Sequence, residues 1–407
     1  MMIRRGTLFF VFICLLFLAG CPSKPSRPPE KPSGEPLVFE RIPSGEFPEL
    51  NDDDSADTLR TAITASLHWY GRIPSDRTFS FGSRSLSAAV LRESLAHFLK
   101  LLDSGTLDSK TIARDFDLFR VVSPDSSGRM LVTGYYEPVL EGSLKPHGRF
   151  RFPLYGLPPD LLSIDLERFN PDRFHGEHLV GRVEGKRVVP YYSRSEIDGQ
   201  KKLEKSGVQM VWLADPVDCF FLHVQGSGVI RLPDGGMRRV GYAGANGRPY
   251  RSIGKTLIDM GVVSREEMSL GAIRSYLRSH PDLQEKVMWE NESYVFFRFV
   301  PRGPVGSLDA VLTGGRSVAS DPKYHPRGAL GFLVSEKPRL DSSGQVVGWE
   351  RFNRWVLNQD TGGAIKGPGR IDLFCGTGEG AEAVAGPMKQ PGEMYYPVRR
   401  DLIPKDW

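Results

Sequence analysis

The sequence predicts a mainly β protein with a few helices, in an α+β arrangement. The 407 residues include 44 Gly and 31 Pro, so turns must be frequent and strands short. Two early stretches carry apolar residues at helical spacing, whereas most later apolar runs are short. With 40% hydrophobic and 25% charged residues, the composition is that of a globular protein, and the length suggests two or three domains.

The net charge is only +4, and no block of like charges stands out. This pattern gives little support to a nucleic-acid partner. A mild basic excess suits a polar and somewhat anionic partner.

The first residues predict export and lipidation. Arg4 and Arg5 precede an apolar core from Leu8 to Leu18, and small residues follow directly before Cys21. The core is too short to span a bilayer. We therefore predict a lipoprotein signal peptide at 1–20 and a lipid on Cys21. An uncleaved anchor and a plain secretory signal are the alternatives.

The residue after Cys21 is Pro22, not Asp, which favours an outer-membrane lipoprotein facing the periplasm. Residues 22–36 hold six prolines among polar residues, so we predict an extended tether over 21–45. At about 3.1 Å per residue its proline-rich part reaches roughly 45 Å. A spacer without a specific role predicts the same composition.

Two helices are predicted near the N-terminus. The first carries Leu59, Ile63, Leu67 and Tyr70 at helical spacing after an Asp-rich start. The second has the same periodicity and ends before Gly105; its apolar positions are Leu91, Leu95, Phe98 and Leu102. Both stripes are predicted to be core.

Short apolar runs that predict strands follow, at Leu118–Val122, Met130–Tyr136, Phe220–Val224, Val229–Leu232 and Tyr294–Val300. Asp234 and Gly235 predict a hairpin turn. A helix is expected from Ser252 to Met260, stopped by Gly261. Ser264 and Glu267 form a capping box for another helix that extends to about Arg278.

Four cysteines are present. Cys14 leaves with the signal peptide and Cys21 is lipidated. In an oxidising compartment Cys219 and Cys375 form either a disulfide or two buried thiols.

The strongest chemical signal lies near the C-terminus, where Asp360 and Asp372 flank a Gly-rich segment. Apolar residues surround Asp372, so burial should raise its pKa. A carboxyl group with a raised pKa is suited to general acid catalysis near neutral pH. The alternative is a buried Asp held by backbone donors in a tight turn.

Six segments occur in the order typical of one known family. They are VTGYYEP at 132–138, QGSG at 225–228, GYAGANG at 241–247 with YRSIGK at 250–255, SVASDP at 317–322, NQDTGGAIKG at 358–367 and RIDLFCG at 370–376. Together they resemble the membrane-bound lytic murein transglycosylase A family, which carries a C-terminal three-aspartate domain. The aspartates of that domain would be Asp321, Asp360 and Asp372.

The resemblance implies a fold and a domain division. It implies a double-psi β-barrel built from 46–136 and 301–407, with the three-aspartate region at about 305–385. A smaller β domain, at 137–300, is inserted between these segments. The substrate groove would lie between the barrel and the insertion.

The resemblance also implies an activity. The protein would be a lytic transglycosylase that cleaves the bond from N-acetylmuramic acid to N-acetylglucosamine in peptidoglycan and leaves 1,6-anhydro ends. Asp372 would act first as acid and then as base, because the C6 hydroxyl of the muramic acid supplies the nucleophile. Asp360 and Asp321 would support it. No metal or other cofactor is implied.

Residues in the matching segments are candidates for binding the sugar: Thr133, Gly134, Tyr135, Gln225, Gly226, Ser227, Tyr242 and Ser320. Tyr135, Tyr136 and Tyr242 either offer flat faces to pyranose rings or pack in the core. Asp360 either orders the Gly-rich loop near the cleft or accepts N–H bonds from Gly362 and Gly363. Asp321, before Pro322, is more typical of a turn.

Two other functions are compatible with these residues. One is an inverting glycan hydrolase, in which Asp360 activates water opposite Asp372. The other is a non-catalytic lipoprotein that binds the cell wall. The predicted partners are peptidoglycan strands and a membrane, reached through Cys21; cell-wall synthases are left open. The segment from His175 to His178 lacks the helical spacing of a zinc site.

Overall fold

The computed structural model describes residues 39–82, 84–122, 129–174, 176–265, 267–403 and 407. The predicted signal peptide, Cys21, most of the predicted tether and His175 lie outside these residues. Within them, no helix has both the length and the apolar character needed to cross a bilayer.

The helices of the described residues are short to medium in length. They are α1 (Ala56–Tyr70), α2 (Ala88–Asp103), α3 (Ser109–Asp115), α4 (Pro216–Gln225), α5 (Ile253–Asp259), α6 (Leu270–Ser279), α7 (Pro281–Trp289) and α8 (Glu379–Ala385). Single turns of other helix types occur at Ser44–Glu46, Ser195–Gly199 and Arg400–Leu402.

Most strands are short, as the Gly and Pro content predicts. They are β1 (Phe39–Ile42), β2 (Thr78–Phe81), β3 (Arg84–Ser87), β4 (Phe116–Val121), β5 (Met130–Glu137), β6 (Val139–Ser143), β7 (Phe152–Tyr155), β8 (Leu162–Asp165), β9 (His178–Glu184), β10 (Arg187–Pro190), β11 (Gln209–Leu213), β12 (Ser227–Arg231), β13 (Met237–Ala245), β14 (Val295–Phe299), β15 (Ser317–Ser320), β16 (Leu330–Leu340), β17 (Val346–Asp360), β18 (Arg370–Thr377) and β19 (Lys389–Arg399).

Eight of these strands form one sheet in the order β1-β4-β19-β16-β17-β15-β18-β5. Because β19 also pairs with β5, the six strands from β19 to β5 close into a barrel. Two pairs in it are parallel, β15 with β17 and β18 with β5. Early and late parts of the chain therefore share one barrel, and the predicted fold class is confirmed.

The strands from β6 to β14 form separate sheets. A six-stranded sheet has the order β14-β13-β12-β6-β11-β7, and β8, β9 and β10 form a three-stranded sheet. Helices α4, α5, α6 and α7 belong to the same stretch of chain. Their apolar residues pack into clusters distinct from the barrel core.

The two helices predicted near the N-terminus are confirmed as α1 and α2. Ser55 and Ser87 cap them by accepting from Asp57 N and Val90 N, respectively. Six of the eight predicted stripe positions are buried, Leu59, Ile63, Leu91 and Phe98 among them, while Leu67 and Leu102 are partly buried and pack against the same core. Ser252 likewise caps α5, and Gly261, with φ +72°, ends that segment.

The strand predicted at Phe220–Val224 is wrong, because these residues lie in α4. Asp215 caps this helix at Val217 N, and Pro216 occupies its first turn. Residues on opposite sides of α4 enter different clusters: Cys219 and Leu222 pack on the six-stranded sheet, while Phe220 packs on α5 and α7. A helix that is apolar on several faces has no polar stripe, so its sequence resembles that of a buried strand.

The capping box at Ser264 is only partly correct. Glu267 N donates to Ser264 Oγ at 3.2 Å, and the Ser264 hydroxyl donates to Glu267 at 2.7 Å. The helix itself begins later, at Leu270, where Ser269 accepts from Ala272 N. The box therefore orders a turn before α6.

Two further expectations are resolved. The end of the predicted tether, Phe39–Ile42, is strand β1, which pairs with β4 in the barrel sheet, so an extended tether does not continue to residue 45. Cys219 and Cys375 are both free thiols, on α4 and β18. The disulfide alternative is therefore wrong.

The barrel is fixed to the N-terminal helix by a buried arginine, Arg316. Its guanidinium is fully buried and donates to both oxygens of Asp52 at 2.6 and 2.9 Å. It also donates to the carbonyl oxygens of Ser55 and Trp355 and to the Thr58 hydroxyl. This side chain joins the start of β15 to the start of α1 and to β17.

We expect Arg316→Met to lower the free energy of unfolding by about 3–5 kcal/mol, since it removes the buried guanidinium that pairs with the Asp52 carboxylate and donates to two carbonyl groups. Urea or thermal unfolding measures the change. The exposed Arg60, which pairs with Asp57 and Asp103, is the matched control, and Arg60→Met should leave the free energy of unfolding close to that of the parent, because exposed ion pairs contribute little. Equal losses in the two variants would contradict the role given to Arg316.

Candidate active site

A cleft of about 910 Å³ opens between residues of the barrel and residues of the β6–β14 stretch. The barrel side contributes Thr133, Gly134, Tyr135, Ala319, Asp360 and Asp372. The opposite side contributes Arg194, His223, Gln225, Gly226, Ser227 and Tyr242. Nine of the residues predicted for catalysis, support or sugar binding therefore meet in one cavity.

Asp372 lies on β18, where it is opposite Thr133 of β5 and Ala319 of β15. Its side chain is partly buried and lines the cleft. The Thr133 hydroxyl donates to Asp372 Oδ1 at 2.6 Å. Within the described residues no backbone N–H bonds this carboxylate, so the alternative of an Asp held by its own turn is not observed.

Burial raises the pKa of Asp372 to about 6. The Thr133 hydroxyl and the nearby Arg370 charge act in the opposite direction, whereas the Asp360 charge raises the pKa further. A carboxyl with this pKa is about one-tenth protonated at pH 7. The site can therefore both give and accept a proton near neutrality.

Asp360 has a different environment. Its Oδ1 accepts from the backbone N–H groups of Ser307 and Thr361, both at 2.9 Å, and its Oδ2 accepts from the Tyr135 hydroxyl at 2.9 Å. The predicted bonds from Gly362 and Gly363 are not observed. Asp360 instead joins β17 to the segment at Ser307 and to β5, so its oxygens are occupied by protein donors.

Asp321 and Ser320 lie outside the cleft lining and are almost fully buried. The Asp321 carboxylate accepts from Lys323 N at 3.1 Å and from Gly367 N at 2.9 Å. These bonds form a turn and anchor the end of the Gly-rich segment. Asp321 thus anchors the loop that borders the cleft. Ser320 does not line the cleft.

Gly134 is required by packing. A Cβ at this position would lie 2.8 Å from the Ala385 Cα of α8, which is closer than real Cβ atoms come. Because glycine has no side chain, α8 can approach β5 directly beside Thr133.

The three candidate tyrosines have different positions. Tyr135 lines the cleft, and burial and the Asp360 charge raise the pKa of its hydroxyl well above the usual range. Tyr136 points away from it into the core, where its hydroxyl accepts from Arg274. Tyr242 is 52% exposed and lines the cleft. Tyr242 is therefore the tyrosine with a ring face open to a ligand.

The segment at Gln225 joins the end of α4 to β12. Gly226, with φ +79°, ends the helix, and Ser227 begins the strand. The Gln225 side-chain oxygen accepts from Tyr136 N at 3.1 Å, which ties this wall of the cleft to β5. All three residues line the cleft.

The lining also includes residues that were not predicted, among them Arg194, His223, Tyr250 and Arg370. Arg370 and Asp372 are two positions apart on β18, so their side chains lie on the same face of the strand. This spacing could have predicted Arg370 as a neighbour of Asp372. Tyr250 lies in one of the six matching segments, where nothing distinguishes it from its neighbours. Arg194 has no local sequence signal, because its position depends on contacts with residues far along the chain.

Comparisons with known proteins match most of the chain. The model described as "MltA specific insert domain" matches residues 131–298, and "3D domain" matches 316–397. The membrane-bound lytic murein transglycosylase A of Escherichia coli K12 is 30% identical over 385 residues, which cover 93% of this chain and 92% of that protein. The chain belongs to the membrane-bound lytic murein transglycosylase A family.

Further relatives of the family agree in sequence and in structure. The Vibrio cholerae protein is 32% identical over 274 residues, covering 67% of this chain and 66% of its own length. A crystal structure of a membrane-bound lytic murein transglycosylase from Agrobacterium tumefaciens has a TM-score of 0.74 at 30% identity, covering 89% of this chain and 98% of that one. The E. coli MltA structure with bound chitohexaose has a TM-score of 0.64 at 26% identity, covering 89% and 94%.

In this member of the lytic murein transglycosylase A family, we expect Thr133→Val to raise the pKa of Asp372, because it removes a hydrogen bond that favours the charged carboxylate. Carbon-detected NMR titration of the Asp372 carboxyl measures the shift. Thr133→Ser keeps the hydroxyl and should leave the titration close to that of the parent. A lowered or unchanged pKa in the Val variant would show that this hydrogen bond does not control the proton affinity of Asp372.

Proposed function

We propose that Asp372 is the single catalytic acid and base of this enzyme. As a member of its family, the chain is a lytic murein transglycosylase that acts on peptidoglycan. The observation that carries the proposal is the contrast between two carboxylates in the cleft. Asp372 accepts one hydroxyl bond and has a raised pKa, whereas Asp360 is held by three donors.

The reaction requires one proton to move in each direction. Protonated Asp372 gives its proton to the glycosidic oxygen between N-acetylmuramic acid and N-acetylglucosamine as that bond breaks. The resulting carboxylate then takes the proton of the muramic acid C6 hydroxyl while that oxygen bonds to C1. The product is a 1,6-anhydro end, and no water is consumed.

The engagement of Asp360 argues against an inverting hydrolase. Such an enzyme needs a second carboxylate free to activate water. Both Asp360 oxygens accept bonds from Tyr135, Ser307 and Thr361, so Asp360 is better suited to hold the cleft wall. We assign it, together with Asp321, a supporting role.

The glycan would bind along both walls of the cleft. Thr133, Tyr135, Gln225 and Ser227 offer polar groups there, and the exposed Tyr242 ring offers a face to a pyranose. The related E. coli MltA was crystallised with bound chitohexaose, a chain of N-acetylated sugars. A similar ligand suits this cleft. Ser320, which is buried outside the lining, would act only through the adjacent strand.

The barrel and the insertion would form two domains, with their boundaries near residues 137 and 300.

The relatives are named membrane-bound, and this chain is membrane-associated. We further propose that residues 1–20 are a signal peptide, that Cys21 carries the lipid, and that the protein resides in the outer membrane, facing the periplasm. Support comes from the small residues before Cys21 and from Pro22 after it.

Asp372→Asn should abolish release of anhydro-muropeptides from purified sacculi, with a loss of about a thousandfold or more, because the amide cannot transfer the proton. Mass spectrometry of the soluble products measures it, since anhydro and reducing ends differ by one water. Binding of chitohexaose should survive in this variant.

The matched control for that experiment is Asp309→Asn. Asp309 also lines the cleft, and it has φ +57°, which Asn tolerates. This variant should keep its activity within about threefold. Anhydro products from the Asp372 variant would remove the catalytic assignment, and reducing ends from the parent enzyme would favour the hydrolase.

Replacement of the proposed lipid site, Cys21→Ala, should move the protein from the membrane to the soluble periplasmic fraction, because no acyl chain is then attached. Pro22→Asp should keep the lipid and shift the protein to the inner membrane. Density-gradient fractionation of the membranes with antibody detection measures the location of both variants. Recovery of the Ala variant in outer-membrane fractions would exclude lipidation as the anchor.

A further inference from the structure

One polar side chain of the cleft wall has no role in the mechanism above. His223 lies in the last turn of α4, is 4% exposed and lines the cleft. Its Nε2 is enclosed and has no hydrogen-bond partner among the described residues. A buried polar atom without a partner is unfavourable in a folded protein and calls for a ligand or another explanation.

The neighbouring arginine fixes which nitrogen of His223 carries the proton. Arg194 Nη1 lies 2.9 Å from His223 Nδ1. A guanidinium only donates, so Nδ1 must accept and the proton of the neutral ring is on Nε2. Burial, followed by the Arg194 charge, keeps the pKa of His223 well below its usual value. The ring is therefore a neutral donor through Nε2.

Arg194 itself cannot easily turn away from the histidine. Its Nε donates to the Asn291 carbonyl at 3.0 Å, and its Nη2 donates to the Ser293 carbonyl at 2.6 Å. The Asp198 carboxylate lies 3.6 Å from Nη1 and balances the buried charge. The orientation of His223 is thus set by a group with three other fixed contacts.

Aromatic rings of the core pack against His223. The Tyr294 ring centroid lies 4.2 Å away and the Phe297 centroid 5.5 Å away, and Val295 also lines the cleft. A neutral N–H donor with the apolar Val295 nearby in the cleft lining complements an acetamido group. That group has a carbonyl oxygen that only accepts and a methyl group that prefers apolar surroundings. A sugar hydroxyl would bring a proton of its own that also needs an acceptor.

We propose that His223 Nε2–H donates to the acetamido carbonyl oxygen of an N-acetylated sugar in the cleft, with Arg194 as the residue that positions the ring. This inference rests on the proposed function, in that the glycan must bind in this cleft. His223 would then select sugars that carry the acetamido group over sugars that have a hydroxyl at the same carbon.

The test measures binding in the full chain with Asp372→Asn, which prevents turnover. His223→Asn places an amide oxygen near the Nδ1 position and so keeps an acceptor for Arg194, but it removes the Nε2 donor. His223→Gln places an amide nitrogen near the Nε2 position. Calorimetry compares chitohexaose with cellohexaose, which has hydroxyl groups in place of the acetamido groups.

We expect His223→Asn to weaken chitohexaose binding roughly five- to thirtyfold, the effect of one lost hydrogen bond. His223→Gln should stay within about threefold of the Asp372→Asn parent, and neither variant should change cellohexaose affinity by more than about twofold. Unchanged chitohexaose affinity in the Asn variant, or equal losses for both sugars, would overturn the proposal.

A spectroscopic measurement decides the same question where cellohexaose binds too weakly for calorimetry. In the ¹⁵N-histidine-labelled Asp372→Asn protein, the His223 proton should be on Nε2 and its resonance should move downfield when chitohexaose is added. A proton on Nδ1, or a resonance that the sugar leaves in place, contradicts the proposal. Failure of the proposed function would appear separately, as an active enzyme lacking anhydro products on sacculi.

Discussion

The site depends on the way in which β5 closes the barrel. This strand pairs in parallel with β18 and in antiparallel with β19, so residues near 133 and near 372 become neighbours although they are far apart in the chain. The pairing places the Thr133 hydroxyl against the Asp372 carboxylate at 2.6 Å. Backbone hydrogen bonds on both sides of β5 hold the contact, so the proton affinity of Asp372 is set by the barrel itself and not by a flexible loop.

The two carboxylates of the cleft are suited to different roles because their hydrogen-bond partners differ. Both are desolvated, and burial raises the pKa of both. Asp360 offsets this cost by accepting two backbone N–H groups and a tyrosine hydroxyl, and in doing so it fixes three segments of the wall. Asp372 accepts a single hydroxyl, so it remains available for proton transfer. Pairs of titratable groups held in different environments in this way are typical of acid–base sites.

The wall opposite the barrel is built from a helix end. Helix α4 stops at Gly226, and its last turn brings His223 and Gln225 to the cleft. Gln225 bonds the backbone of β5, whereas Arg194 holds His223 from the other side. Side chains of this wall are thus fixed by bonds that cross between distant segments, and the proposed glycan-binding surface is pre-organised on both sides.

The sequence by itself determined the features with local causes. Helical periodicity and capping residues predicted α1 and α2, and the composition predicted a mainly β fold. The ordered motifs indicated the family and, through it, the barrel and Asp372 as the catalytic candidate.

Tertiary contacts decided the rest. Helix α4 is apolar on several faces because it packs between two clusters, so its pattern resembled a strand. The donors to Asp360 come from residues 135 and 307, and the contacts of Arg194 from residues 291 and 293, which no local pattern could identify. Such bonds form only when long-range strand pairing has brought their partners together. Residue spacing along the chain therefore does not predict them.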